Sequence, residues 1–147
     1  MNFQLRPATP EDFAFAFEAK KDAIGPHVMA RWGWDDAFQM EHHRKHWQEK
    51  LWQIIIVDQE PVGTVSIDIK PTHLQFGEFY ICHHYRRHGL GTAVLTYVLQ
   101  SADQSRIETR LEYLKWNPVA SLYARHGFRV ISENKTHYFL ARPPHET

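Results

Sequence analysis

The stretch RRHGLGT, Arg86 to Thr92, lies between an apolar run ending at Cys82 and a segment with Val94, Leu95, Val98 and Leu99 at helical spacing. It reads as the end of a strand, a glycine turn and a helix start. Free backbone N–H groups in the first turn of a helix, beside glycines that allow close approach, form a seat for phosphate or pyrophosphate. Arg86, Arg87 and His88 add positive charge where the helix dipole already favours an anion. Taken alone, the stretch is equally a glycine turn ahead of an ordinary helix. Two familiar phosphate loops are excluded. A dinucleotide fingerprint requires a third glycine where Val94 stands, and a P-loop requires a Gly-Lys pair, which the chain lacks. What remains is a loop for a phosphate-bearing cofactor that is not hydrolysed there.

Upstream of this loop, Phe3 to Arg6 alternates like a short strand, and Thr9, Pro10, Glu11 and Asp12 form a helix-start signal. That helix is expected to run to about Ile24, where Gly25 and Pro26 stop it. HVMARWGWDD, residues 27–36, reads as a loop, with Asp35 or Asp36 capping a second helix. WQIIIVD (52–58) and VGTVSIDIK (62–70) form a hairpin joined by Gln59, Glu60 and Pro61, and HLQFGEFYIC (73–82) is a third β-like run. Downstream, a helix over Ala93 to Ala102 precedes a strand over Ile107 to Lys115. A helix with Pro118 in its first turn, capped by Asn117, then ends near Gly127, and FRVIS and THYFLA close the chain. Strands in series followed by a strand, loop and helix crossover imply a mixed sheet in an α/β or α+β fold. No repeat or linker divides the chain, so one domain is expected over residues 1–147.

Composition narrows the function. The 147 residues carry 17 Lys+Arg against 17 Asp+Glu, with 43% hydrophobic and 14% aromatic residues, the opposite of a disordered composition. Zero net charge argues against general polyanion or nucleic-acid binding and makes any anion site local. Cys82 is the sole cysteine, so no intramolecular disulfide forms and a cytoplasmic location is expected. The N-terminus lacks a signal-peptide pattern, and the longest aliphatic run, Ile54 to Val57, falls far short of the ~20 residues that span a bilayer. No membrane partner is expected.

The second chemical signal is NPVASLYARHGF, residues 117–128. Together with RRHGLG at 86–91, it resembles the GNAT-type N-acetyltransferase superfamily, in which an Arg/Gln-x-x-Gly-x-Gly/Ala loop is followed, after the next strand, by an Asn…Leu-Tyr…Gly-Phe helix. The pair is far more specific than either half. The resemblance is close over the C-terminal two thirds; the N-terminal segment fits the topology but has no diagnostic motif. It implies a twisted, mostly antiparallel sheet of about seven strands and about four helices, with the strands ending at Cys82 and near Lys115 splayed apart. It further implies acetyl-CoA as co-substrate, with Ile81, Cys82 and His83 offering backbone hydrogen bonds to pantetheine. Arg86, Arg87, His88, Gly89, Leu90, Gly91 and Thr92 would wrap the pyrophosphate, and Asn117 would contact the cofactor arm. Tyr123 would stand near the thioester sulfur, where a leaving thiolate needs a donor and a phenol remains protonated at neutral pH. By helical spacing alone Tyr123 is a core aromatic.

The reaction implied is transfer of an acetyl group to a primary amine of a small molecule or peptide, by direct attack in a ternary complex. A carboxylate is needed to deprotonate that amine, and Glu78 and Glu112 lie on the two strands that flank the gap. Either could be a solvated strand residue. Trp32, Trp34 and Asp35 sit in the helix connection that commonly lines the acceptor pocket in this superfamily. Aromatic walls and carboxylates suit an amine; otherwise the tryptophans cover the sheet and Asp35 is an N-cap. His42, His43 and His46 lack the Glu of a zinc-protease helix and read as a solvated face, so no metal is expected. Cys82 reads as a small strand residue. A noncatalytic acyl-CoA sensor or interaction domain is the rival reading, and either a monomer or a homodimer is compatible with the sequence.

Overall fold

The computed structural model describes residues 2–146. Among these residues, seven strands form one sheet: β1 Gln4–Pro7, β2 Trp52–Val57, β3 Glu60–Ile69, β4 His73–Ile81, β5 Glu108–Leu114, β6 Arg129–Glu133 and β7 His137–Arg142. Their order is β1-β2-β3-β4-β5-β7-β6, antiparallel throughout except where β4 meets β5. Four α-helices accompany them: α1 Phe13–Trp32, α2 Asp36–Glu49, α3 Leu90–Gln104 and α4 Ala120–Arg125. This is the acyl-CoA N-acyltransferase architecture that the paired motifs imply.

The main core forms where the apolar stripe of α3 meets the sheet. Leu90, Val94, Leu95, Val98, Leu99 and Ala102 pack with Ile55, Val65, Leu74, Phe76 and Leu111, all buried. The β2–β3 turn is tighter than the sequence reading: Asp58 and Gln59 both take left-handed φ (51° and 68°), the geometry of a two-residue turn matched to strand twist, and β3 begins at Glu60.

Helix α1 corrects the expected stop at Ile24. It continues through Gly25 and Pro26 to Trp32, and ends where Gly33, at φ 77°, donates its N–H to Met29 O at 3.1 Å. Proline removes one backbone donor, but Ile24, Gly25 and Val28 around it are buried, and this packing carries the helix onward. Trp34 packs over Gly25, where a Cβ would make only ordinary contact with the ring at 3.9 Å. Helix α2 is capped as expected, Asp35 Oδ1 accepting from Phe38 N at 3.1 Å. Its histidines are not all solvated: His43 is fully buried among Phe13, Phe17, Trp47 and Trp52. Desolvation lowers its pKa and keeps the imidazole neutral. Helix α4 is also shorter than expected. Asn117 and Pro118 belong to a turn, with Asn117 N–H donating to Leu114 O and Asn117 O accepting from Val119 N, both at 2.9 Å.

The C-terminal end of α3 is fastened to β7 by Arg142, whose Nη1 and Nη2 reach Asp103 at 2.8 and 3.1 Å while Nε donates to His126 O at 2.8 Å. Arg142 is 4% exposed. Replacing it leaves the His126 carbonyl without this donor and the Asp103 carboxylate with only the His145 N–H, so Arg142→Met should lower unfolding free energy by about 3 kcal/mol in urea titration. A loss below about 1 kcal/mol would show the pair to be no more than a surface contact.

Candidate active site

The parallel ladder between β4 and β5 runs only from His73 to Gln75 against Glu108 to Arg110. Beyond it the strands separate. A β-bulge lies on the gap side of β4: Ser66 of β3 pairs with Gly77 and Thr64 with Tyr80, so Glu78 and Phe79 together oppose Val65. Glu78 sits at φ 42°, and Thr64 Oγ1 pins the bulge by donating to Glu78 O at 2.8 Å. The bulge changes which residues face which way. Leu74 and Phe76 pack on the α3 core ahead of it, whereas Phe79 and Ile81 do so after it. Glu78 and Tyr80 consequently turn to the side of α1 and α2.

Glu78 is 7% exposed and surrounded by donors. Lys50 Nζ reaches Oε2 at 3.0 Å, the Tyr80 hydroxyl donates to Oε1 at 3.3 Å, Lys20 Nζ stands 3.8 Å from Oε1, and His46 Nδ1 is 3.6 Å from Oε2. Burial works to raise the carboxyl pKa, but His46, Lys20 and Lys50 outweigh it and hold the group well below the usual carboxylate range. Such a carboxylate is a poor proton acceptor. Glu112 differs: it is exposed on β5, and Tyr80 lies within electrostatic reach of both Glu112 and Tyr123.

At the mouth of the gap, Cys82 N–H donates to Val62 O at 2.8 Å and His83 N–H to Asp22 Oδ2 at 2.8 Å. Both donors are thus already engaged. Because successive strand residues point their backbone groups to opposite edges, Ile81 presents its N–H and C=O to the gap, where the carbonyl accepts from Arg86 Nε at 2.7 Å. Arg86 Nη2 also pairs with Asp22 at 2.7 Å, so part of the positive charge expected of this loop is balanced. Arg87, at φ 65°, and Gly89, at φ 81°, turn the chain into α3, with Leu90 buried and Arg87, His88, Gly89 and Thr92 exposed. The first helical bond is Ala93 N–H to Gly89 O at 3.0 Å, leaving the N–H groups of Leu90, Gly91 and Thr92 without an intrahelical acceptor. A Cβ on Gly89 would meet nothing within 4 Å, so the approach to these donors is open.

Tyr123 is 6% exposed, its ring stacked on Tyr113 at 5.8 Å and set edge-on against Phe76 and Phe128 at 6.5 and 5.6 Å. Burial, then Tyr113, raises its pKa far above the ordinary phenol value, so it keeps its proton at any working pH. Trp34 and Asp35 serve local structure. Trp34 lies on Gly25 and bonds Asp36 through Nε1, and Asp35 is the cap of α2. Trp32 instead meets Trp116 edge-on at 4.8 Å, with the Arg31 guanidinium over the same Trp116 ring at 4.8 Å. Cys82 is half-buried, and desolvation followed by Asp22 pushes its thiol pKa up, unlike a nucleophile. Among the described residues, no group of three His, Cys, Asp or Glu is placed to hold a metal. No described helix is long and apolar enough to cross a membrane.

Lys20, Lys50, Tyr80 and Trp116 carry no mark in the sequence, and His46, read there as part of a solvated face, instead stands 3.6 Å from Glu78. Tyr80 is turned to its side by the bulge, and Trp116 meets Trp32 and Arg31 because α1 continues past proline; neither feature has a local sequence mark.

An antiparallel sheet opened between two parallel strands, with a glycine-rich helix start at its mouth, defines an acyl-CoA-binding transferase. The chain belongs to the GNAT acetyltransferase family, whose model matches residues 14–128. It is similar in fold to an N-acetyltransferase, PaiA from Thermoplasma acidophilum, in complex with coenzyme A (16% identity, TM-score 0.77, covering 97% of this chain and 99% of that one). An acetyltransferase from Thermus thermophilus aligns with TM-score 0.75 at 16% identity over 97% of both chains. The ribosomal-protein-S18-alanine N-acetyltransferase from Escherichia coli does so with TM-score 0.70 at 14% identity, over 99% of this chain and 96% of that one. No curated protein matches the sequence.

A β-branched side chain at the left-handed position of Gly89 strains the loop by about 1–3 kcal/mol and intrudes on the open approach. Gly89→Val should therefore weaken CoA binding at least tenfold in calorimetry while the far-ultraviolet circular dichroism is unchanged. Undiminished affinity would reduce the loop to a turn.

Proposed function

We propose that the chain transfers an acetyl group from acetyl-CoA to a primary amine by direct attack in a ternary complex, working as one cytoplasmic domain. Tyr123 acts as general acid. The observation that carries this reading is the position of Tyr123: buried in an aromatic stack beside the β4–β5 gap, coupled electrostatically to Tyr80 across it, and fully protonated. In the reaction the neutral amine nitrogen bonds to the thioester carbonyl carbon and the C–S bond breaks. Tyr123 gives the departing sulfur its proton or a hydrogen bond. Leu90 to Thr92 and Arg87 hold the pyrophosphate, Ile81 presents its backbone to pantetheine, and Asn117 borders the cofactor arm.

Electrostatics favour one of the two carboxylates as the base. Glu78 is neutralised by buried cations and strongly acidic, whereas Glu112 is solvent-exposed on the facing strand. Glu112 accepts the amine proton, directly or through water, and Glu78 organises the cations around it.

Tyr123→Phe should lower kcat by about 10²-fold, within the range for general acid catalysis, and leave the acetyl-CoA Kd within about twofold. Equal turnover, with chemistry shown to be rate-limiting, removes Tyr123 from the mechanism. For the base, Glu112→Gln should depress kcat/KM about 10²-fold. If Glu78→Gln does this instead, the assignment is reversed.

A further inference from the structure

The α1 and α2 side of the splayed strands is polarised, and its polarity bears on the acceptor. At its inner end two lysines meet one carboxylate. Lys50 and Tyr80 already donate to the two oxygens of Glu78 at 3.0 and 3.3 Å. The side chain of Lys20 is only 7% exposed, yet its ammonium stays 3.8 Å from Glu78, beyond hydrogen-bonding distance. Lys20 and Lys50 both pair with the one carboxylate, so the cluster holds one ammonium in excess of its counter-charge, which is costly where it is buried. Its effect is visible around it: desolvation lowers the Lys20 pKa, and partial desolvation, followed by the charge of Lys20, lowers that of His42. Toward the mouth the sign reverses. Glu112 is exposed on β5, and His137 on the neighbouring strand lies within electrostatic reach of both Glu112 and Lys50, joining the two ends.

Building on the transferase reading, we infer that the acceptor is an amine that also carries a carboxylate, seated with its anion at Lys20 and Lys50 and its amine toward Glu112. The free amino acid is the simplest member of this class. The seat also selects against polycations, because a second ammonium would face Lys20 and Lys50. Lys20 is then a specificity-determining residue with no part in the chemical step.

The test uses the full chain, acetyl-CoA, and matched sets of amines: the standard amino acids, their C-terminal amides, the decarboxylated amines, and spermidine. The native chain should acetylate a free amino acid with kcat/KM at least tenfold above its amide. Lys20→Met should erase that ratio by lowering the value for the acid alone, whereas Lys20→Arg keeps it. Acetyl-CoA affinity should be unchanged in both. Amides, decarboxylated amines or spermidine used as well as the acids by the native chain, or a ratio that survives Lys20→Met, overturn the anion seat while leaving acetyl transfer intact. This comparison on the native chain needs no variant, so a misfolded Lys20→Met does not block it. A calorimetric arm without turnover uses N-acetyl amino acids against their amides in the presence of CoA. If no amine releases CoA, but N-acetyl amino acids bind at least tenfold tighter than their amides, the seat stands and the transferase reading falls. No preference in that arm removes the seat as well.

Discussion

The bulge at Glu78 is the constraint on which the site depends. One extra residue on β4, fixed by the Thr64 hydroxyl on the Glu78 carbonyl, reverses the facing of every residue from there to Ile81. Without that reversal Phe79 and Ile81 would face α2 and Tyr80 the α3 core. With it, the core keeps its apolar rings, and two polar side chains enter the space that the divergence of β4 from β5 opens. Gly63 makes the arrangement tight: a Cβ there would collide with the Tyr80 carbonyl, so β3 can approach the bulged strand only as glycine. The gap and its contents therefore have one origin, a change of register in a single strand.

Helix α1 is the second support, with Lys20 and Asp22 ahead of Pro26 and Arg31 and Trp32 beyond it. Lys20 and Asp22 are two residues apart on it, yet serve opposite ends of the cleft. Lys20 reaches Glu78 at the inner end, while Asp22 engages His83 N–H and Arg86 at the cofactor mouth. The continued helix also carries Arg31 and Trp32 to Trp116, beside the Asn117 turn. Thus one rigid element touches the cofactor loop, the Glu78 cluster and the turn after β5. The Asp22 contact also qualifies the charge of the loop. Arg86 comes with a counter-ion, so in the proposed binding mode a pyrophosphate would rely more on backbone donors and on Arg87.

The succession of strands and helices in the C-terminal half and the glycine turn into α3 are readable in the sequence because both rest on local chemistry. Gly89 at φ 81° ahead of α3 and Gly127 at φ 89° after α4 are demands of backbone geometry that few other residues meet, and the apolar stripe of α3 is a local periodicity. The N-terminal half is less legible. Gly25-Pro26 carries the signature of a helix end, but packing of Ile24 and Val28 overrides it. His43, which beside His42, Arg44 and Lys45 reads as a wet surface, lies in an aromatic cage formed by residues from α1, α2 and β2 that are distant in sequence. Strand position is enough to bring Glu78 to the edge of the gap, but not to reveal its company. Lys20 comes from α1, and His46 and Lys50 from the end of α2, and no spacing rule brings the three together.

Structural neighbours that share this backbone at low identity have the fold as their common property. The fold is carried by features that tolerate substitution: the α3 stripe, the strand divergence and the helix start. Acceptor choice does not share that tolerance. It depends on a few side chains whose charge is felt at short range in a desolvated setting, where exchanging one ammonium changes the sign of the local field. Lys20 is such a group, too buried for surface solvation and too far from Glu78 for a direct bond. The two requirements occupy different faces of the same sheet. The α3 face, where the core forms, is constrained by packing, whereas the α1 and α2 face can change its charges one residue at a time without disturbing the gap.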